Sequence, residues 1–148
     1  MMKRKPIGME LRSLNNLIGR AFENSGHKKQ IDSVTGRNGW IIGYLADNAD
    51  KDIYQKDLEE QFTITRSTVS KVLNLMEKKG FIERRSVPHD SRLKKLALTE
   101  KAWEISNMMK EDGAKMEKTL MDGFTIEELE SFYTYIQRMK DNLKLCVL

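Results

Sequence analysis

The sequence is poor in residues that form covalent or metal cross-links, with one cysteine and two histidines among 148 residues. Cys146 alone cannot close a disulfide within the chain, so we expect a reducing, cytoplasmic location. Neither histidine lies at metal-ligand spacing from Cys146 or from carboxylates. We therefore expect no metal site and no cofactor.

The sequence also lacks the motifs of an enzyme and the apolar runs of a membrane protein. Phosphate-binding glycine loops, Ser/His/Asp sets and paired catalytic carboxylates are missing, so we expect no catalytic site. No apolar stretch approaches the roughly 20 residues that a helix needs to cross a bilayer, which excludes a membrane partner. The basic first five residues lead into a polar segment, so we expect no signal peptide. No Pro/Gly/Ser-rich linker or repeat divides the chain, which predicts a single domain over residues 1–148.

Basic charge is abundant and is concentrated in one stretch. From Thr65 to Leu96 there are nine Lys and Arg residues against three Asp and Glu residues, a surplus larger than the net charge of +4 of the whole chain. The remainder of the chain is therefore net acidic. A local surplus of this kind favours a polyanionic partner, although a solvated charged face is the simpler alternative.

Apolar spacing predicts helices in the first third of the chain. An amphipathic helix is predicted from about Met9 to Ser25, ended by Gly26 and followed by a polar loop. Thr35 is then predicted to cap a helix that carries Trp40 on its apolar face. Beyond a further loop, Ile53–Tyr54 can add one short strand.

The central segment predicts two helices joined by a tight turn. The first covers Lys56–Gln61, the turn is Thr63–Ile64, and the second helix runs from Thr65 to Lys79. Gly80 occupies the position where a left-handed residue closes a helix, with Phe81 packing back on the last turn. The inner stripe of the second helix is expected to be Val69, Val72, Leu73 and Met76.

A β-ribbon and two long helices complete the prediction. Ile82–Val87 and Lys94–Leu98 read as strands around a turn at residues 88–92, and such a ribbon after a helix pair is a wing. Thr99 caps the next helix, and Asp122–Gly123 ends it. Thr125 and Glu128 then form a capping box for the last helix. The fold class is mainly α with a small β-wing, a winged helix-turn-helix.

The outer face of the Thr65–Lys79 helix suggests DNA binding, because one helix fits the major groove with its first residues at the bases. Arg66 and Lys71 can address guanine and Asn74 can address adenine, while the hydroxyls and the positive helix end suit phosphates. The expected contacts, called the polar face below, are Thr65, Arg66, Ser67, Thr68, Ser70, Lys71 and Asn74. A solvated helix front would explain the polarity but not the ribbon that follows.

The wing is expected to supply further contacts. An arginine at the end of a narrow loop can enter a minor groove, and Asp90 is placed to orient Arg92. For some of the flanking charges, the alternative role is to discourage edge pairing of the strands. The expected wing contacts are Arg84, Ser86, His89, Asp90, Arg92 and Lys94.

These motifs together resemble the MarR family of bacterial transcriptional regulators. The segments that carry the resemblance are Gln55–Leu58, Thr65–Ser70, Leu75–Arg84, Asp90–Arg92 and Leu98–Ala102. The likeness is close from Trp40 to Ala102. At the position of Ala102 the family usually has glycine. It implies a winged helix-turn-helix whose first and last helices interlock with a second subunit. It also implies that Thr65–Lys79 is the recognition helix and Arg92 the wing-tip arginine.

The terminal helices predict a homodimer on physical grounds as well, because they carry more apolar surface than a small winged lobe covers. The expected interface residues are Leu11, Leu14, Phe132, Ile136, Leu143 and Leu145. Residues 35–98 would form the DNA-binding lobe, and residues 1–34 and 99–148 the helical dimerisation region. Cys146 is expected to be buried in dimer packing.

The expected function is a dimeric repressor of a pseudo-palindromic promoter site on double-stranded DNA, released by a small aromatic or lipophilic effector. An effector pocket can be lined by Phe22, Trp40, Tyr44 and Met108, although ordinary core is an alternative role for them. A winged-helix protein-interaction module and a non-specific DNA-binding protein remain as other functions.

Overall fold

Residues 3–146, which the computed structural model of the chain describes, form seven helices and one two-stranded sheet. The elements in chain order are α1 (Ile7–Glu23), α2 (Lys28–Thr35), α3 (Gly39–Asp47), α4 (Gln55–Phe62), α5 (Arg66–Lys78), β1 (Ile82–Val87), β2 (Asp90–Leu98), α6 (Glu100–Met121) and α7 (Ile126–Lys144). The chain divides into two compact units, one ending at Gly113 and the other beginning at Ala114, so the boundary falls within α6. The predicted fold class is confirmed, and the predicted division at residues 35 and 98 stays a prediction.

The core of the first unit gathers the apolar faces of α3, α4 and α5 against the inner side of the ribbon. Its fully buried large side chains include Ile41, Ile42, Leu58, Leu73, Met76 and Phe81. The stripe predicted for α5 supplies three buried residues, and Val72 packs partly buried against them. This anchoring fixes which side of α5 faces outward.

The segment between the first two predicted helices is itself a helix, so the predicted loop is wrong. Two contacts stabilise α2. Lys28 forms an ion pair with Asp32, which lies four residues later in the helix and 3.0 Å away, and Ile31 is buried. Thr35 does not cap α3. It ends α2 in a buried position, its hydroxyl donates to the Ile31 carbonyl at 2.7 Å, and Asn38 precedes α3 instead.

The ribbon is antiparallel, with Ile82 opposite Leu98 and Arg84 opposite Leu96. β2 begins at Asp90 rather than at the predicted Lys94, so only residues 88 and 89 form the turn. The predicted short strand is a single bridge, in which the Leu96 amide donates to the Ile53 carbonyl at 2.8 Å. The bridge ties the ribbon to the segment that enters α4.

The two predicted caps near the end of the chain are confirmed. Thr99 accepts a hydrogen bond from the Ala102 amide at 3.3 Å and donates to the Gly80 carbonyl at 2.6 Å. Thr125 and Glu128 form the reciprocal capping box at the start of α7. α7, in the second unit, has no buried residue within this single chain.

Candidate nucleic-acid interface

Both ends of α5 are fixed by local chemistry. Thr65 is the N-cap, and its side chain accepts from the Thr68 amide. At the other end, the Phe81 amide donates to the Met76 carbonyl and the Gly80 amide to the Glu77 carbonyl, both at 3.0 Å. Gly80 has a φ of +81°, the left-handed conformation that this Schellman motif needs. The helix therefore presents a defined outer surface.

The structure brings the whole polar face together on α5 and its cap. All of its residues are exposed except Ser70, which is half-buried. Thr65 links the hydroxyls at the front of the helix, with 3.0 Å to Thr68 and 3.3 Å to Ser67. Within residues 3–146, Arg66 and Lys71 have no carboxylate at ion-pair distance, so their charges are available to a ligand. The positive end of the helix dipole adds to the charge of Arg66, which lies in the first turn.

The wing holds Arg92 outward. Ser86 pairs with Lys94 and Val87 with Asp90, so the residues between Asp90 and Lys94 bulge from the ladder. The Arg92 side chain is 91% exposed, its amide donates to Asp90 Oδ1 at 2.9 Å, and its Nε lies 3.5 Å from the same oxygen. This geometry matches the predicted orienting contact. Lys94 is held by the Ser86 hydroxyl at 2.7 Å.

His89 and Arg84 occupy different surroundings on the ribbon. His89 is exposed in the turn. Arg84 lies over α5, where one of its terminal nitrogens donates to Asn74 Oδ1 at 2.7 Å and its Nε lies 3.4 Å from a Glu77 carboxylate oxygen. Arg84 is thus engaged within the protein, and its expected contact with DNA stays a prediction.

The start of α5 and the wing line one concave surface, which encloses a cleft with a volume of about 480 Å³. Basic side chains from four elements line it: Lys56 from α4, Arg66 from α5, Arg84 from β1, and Arg92 and Lys94 from β2. Lys56, which lies 3.8 Å from Glu60 on the same helix, was not among the expected contacts, because its place on this surface depends on the packing of α4 against α5. A concave basic surface of this kind suits a phosphate backbone.

The predicted dimer residues are largely uncovered in the single chain. Leu11 and Leu14 on α1 are 43% and 41% exposed, and Leu143 is 71% exposed. Phe132 and Leu145 are also exposed, while Ile136 is half-buried. Cys146 is exposed within the single chain, so its expected burial depends on the dimer and stays a prediction.

The four predicted effector-pocket residues separate into two pairs. Phe22 and Trp40 line a cleft of about 340 Å³ together with Ile31 and Met109. Tyr44 and Met108 do not line it. Tyr44 packs its ring 5.3 Å from that of Phe62, and Met108 packs against the core.

Among the described helices, none combines the length and apolarity of a membrane span.

Comparison with known proteins identifies the family. A family model described as the MarR family matches residues 33–93. The transcription regulator MarR from Oenococcus oeni PSU-1 is 31% identical over 92% of this chain and 99% of its own, with a TM-score of 0.74.

Two further relatives extend the likeness over nearly the whole chain. The S. aureus MepR–DNA complex shares the fold with a TM-score of 0.74 at 24% identity, over 95% of this chain and 99% of its own. The HTH-type transcriptional regulator YybA of Bacillus subtilis (strain 168) is 24% identical over 140 residues, 95% of this chain and 87% of its own. The chain belongs to the MarR family and is a transcriptional regulator with a DNA-binding winged helix, not an enzyme.

Proposed function

We propose that the protein is a homodimeric repressor that occupies a pseudo-palindromic promoter site. The observation that carries this proposal is the polar face of α5, which is basic, is exposed apart from Ser70, and is adjoined by a basic wing. A protein-docking surface would need apolar residues at this place, whereas this face offers hydroxyls, an amide and two cations. A major groove fits such a helix, and the flanking phosphates fit the concave surface beside it.

Each part of the surface has a distinct role in the proposed complex. Arg66 and Lys71 reach base edges, where guanine presents two acceptors. The hydroxyls at the front of α5 and the helix N-terminus hold phosphates and set the register. Arg92, aligned by Asp90, enters the neighbouring minor groove.

The dimer is supported by apolar residues that the single chain leaves uncovered. α1 and α7 contain no buried residue, although each carries a row of large apolar side chains. Pairing such faces across a two-fold axis removes them from water and presents two recognition helices about one DNA turn apart, roughly 34–36 Å. The two-fold symmetry of the protein then requires a pseudo-palindromic site.

Release by a small aromatic or lipophilic effector is the finer part of the proposal. The cleft at Phe22 and Trp40 has a volume of about 340 Å³, within the range of small-molecule sites, and it mixes apolar walls with charged groups such as Lys28 and Arg37. An effector releases DNA only by binding the non-DNA-binding conformation more tightly. A compound that dissociates the complex should lose its effect in Trp40→Ala, whereas unchanged release by that variant would exclude this cleft.

The decisive experiment compares a promoter-proximal palindrome with scrambled DNA over a salt series, with sedimentation to give the stoichiometry. A specific dimer should bind the palindrome as two chains. Its affinity should fall by roughly 10³–10⁵ between 50 and 200 mM salt for 6–10 phosphate contacts. Lys71→Ala should weaken this binding, and Lys29→Ala, an equal loss of charge on α2, should not. Equal affinity for both DNAs would indicate non-specific binding, and no affinity for either would favour a protein partner.

A further inference from the structure

Arg84 differs from its neighbours on β1 because of strand alternation. Successive side chains of a strand point to opposite faces, so Arg84 shares the inner face with Ile82, while Glu83 and Arg85 share the outer one. Arg85 accordingly pairs with Glu83 at 2.8 Å on the exposed side. Arg84 is only 28% exposed and reaches across to α5.

On α5, Arg84 contacts Asn74 and Glu77, which lie three residues apart on one side of the helix. The guanidinium carries only donors, so the Asn74 atom 2.7 Å away must be its amide oxygen. The carboxylate of Glu77 offsets the charge of Arg84, which reduces the attraction of this arginine for a phosphate. The contact therefore fixes the orientation of the Asn74 amide.

This orientation limits what Asn74 can read. An asparagine recognises adenine by pointing its oxygen and its NH₂ group at the same base, to N6 and N7 respectively. An amide whose oxygen is directed at the wing cannot do both. Its NH₂ group can still donate to a purine N7, but adenine then leaves its N6 donor without the Asn74 oxygen as a partner, whereas guanine O6 or thymine O4 can accept from the NH₂ group directly. The amino bases place a donor at that position.

We propose that Arg84 is a specificity-determining positioning residue, which holds Asn74 so that the recognition helix selects a keto base instead of adenine. The inference rests on the proposed function, because it requires α5 in the major groove. It assigns to Arg84 a role in sequence choice and not in phosphate binding.

The test is a binding selection from palindromes with randomised half-sites, made with the full-length protein and with Asn74→Ala, Arg84→Met and Arg85→Met. Asn74→Ala should lose discrimination at one position per half-site, and the wild type should prefer guanine or thymine there. Arg84→Met retains the apolar stem and frees the amide, so preference at that position should move toward adenine by about tenfold. Arg85→Met removes the same charge from the outer face and should leave the preference unchanged.

Three results would overturn the inference. In one, the wild type prefers adenine at the position that depends on Asn74, or has no such position. In another, Arg84→Met weakens binding to all sequences alike and lowers the salt dependence, as expected for a phosphate contact. If the wild type does not distinguish selected from scrambled DNA, the proposed function fails and this inference with it. If circular dichroism shows that the Arg84→Met protein does not fold, the base preference that Asn74→Ala loses decides between a keto base and adenine by itself.

Discussion

Replacing the wing-tip arginine should separate DNA binding from folding. The Arg92 side chain is 91% exposed, and its Nε lies 3.5 Å from Asp90 Oδ1 on the same strand. Because an exposed pair contributes little to stability, Arg92→Ala should change the free energy of unfolding by less than about 0.5 kcal/mol. Binding to the palindrome should nevertheless weaken by roughly tenfold or more, since each dimer loses one arginine from each of two minor grooves.

The salt dependence of binding measures the number of lost charge contacts independently of the affinity at any single salt concentration. Each cation placed among the phosphates contributes about 0.9 to the slope of log K against log salt. Two wings per dimer then predict that Arg92→Ala lowers the absolute slope by nearly 2. Fluorescence anisotropy with a labelled palindrome at four or five salt concentrations measures both the slope and the affinity.

Two control variants distinguish a placed arginine from a general loss of charge. Lys29→Ala removes one exposed positive charge from α2 and should leave the slope unchanged. Asp90→Asn removes a negative charge near DNA, so a purely electrostatic wing would bind more tightly. If Asp90 aligns Arg92, this variant should instead lose preference for A·T-rich flanks. An Arg92→Ala protein with wild-type affinity and slope would remove the wing from the DNA-binding surface.

Three further substitutions test the helix, its cap and the dimer. Leu73→Ala leaves a cavity at a fully buried position and should lower the free energy of unfolding by about 2–5 kcal/mol in urea denaturation, and a loss below 1 kcal/mol would contradict the core assignment. Thr65→Ala removes the α5 cap and should cost about 1 kcal/mol of stability together with DNA affinity, whereas Thr65→Ser should retain both. Leu143→Glu places a charge in the proposed dimer interface and should yield monomers in sedimentation velocity. Lys140→Glu on the same helix tests whether an added negative charge alone is enough to separate the two chains. If the Leu143→Glu protein remains dimeric, this position of α7 does not lie in the dimer interface.

The sequence predicts α5 well because three independent local signals agree there. Thr65 at the cap, the apolar period ending at Met76 and the glycine after Lys79 each specify the same helix. The Thr125 and Glu128 box does the same for α7. Much of the candidate DNA site lies on α5, and for this reason it could be predicted as well.

The sequence fails where the determining contact is distant in the chain. α2 has few apolar residues, and the burial of Ile31 beside Gly39 and Met109 is a tertiary effect that local periodicity does not show. The early start of β2 follows from the pairing of Asp90 with Val87 beside a bulge. The cleft contains Met109 and not Met108, a choice set by the rotation of α6.

Arg84 and Arg92 show how one residue type acquires two roles on a single ribbon. Strand alternation turns Arg84 toward α5, a position that the sequence pattern of β1 already indicates from Ile82. At the bulge the Arg92 side chain is 91% exposed and lies 3.5 Å from Asp90, so it can follow a groove without disturbing the helix. Movement of β1, in contrast, must alter the contact with Asn74. If DNA shifts the wing, Arg84 should transmit this shift to α5. The base preferred by α5 should therefore depend on the sequence of the flanking DNA that the wing contacts.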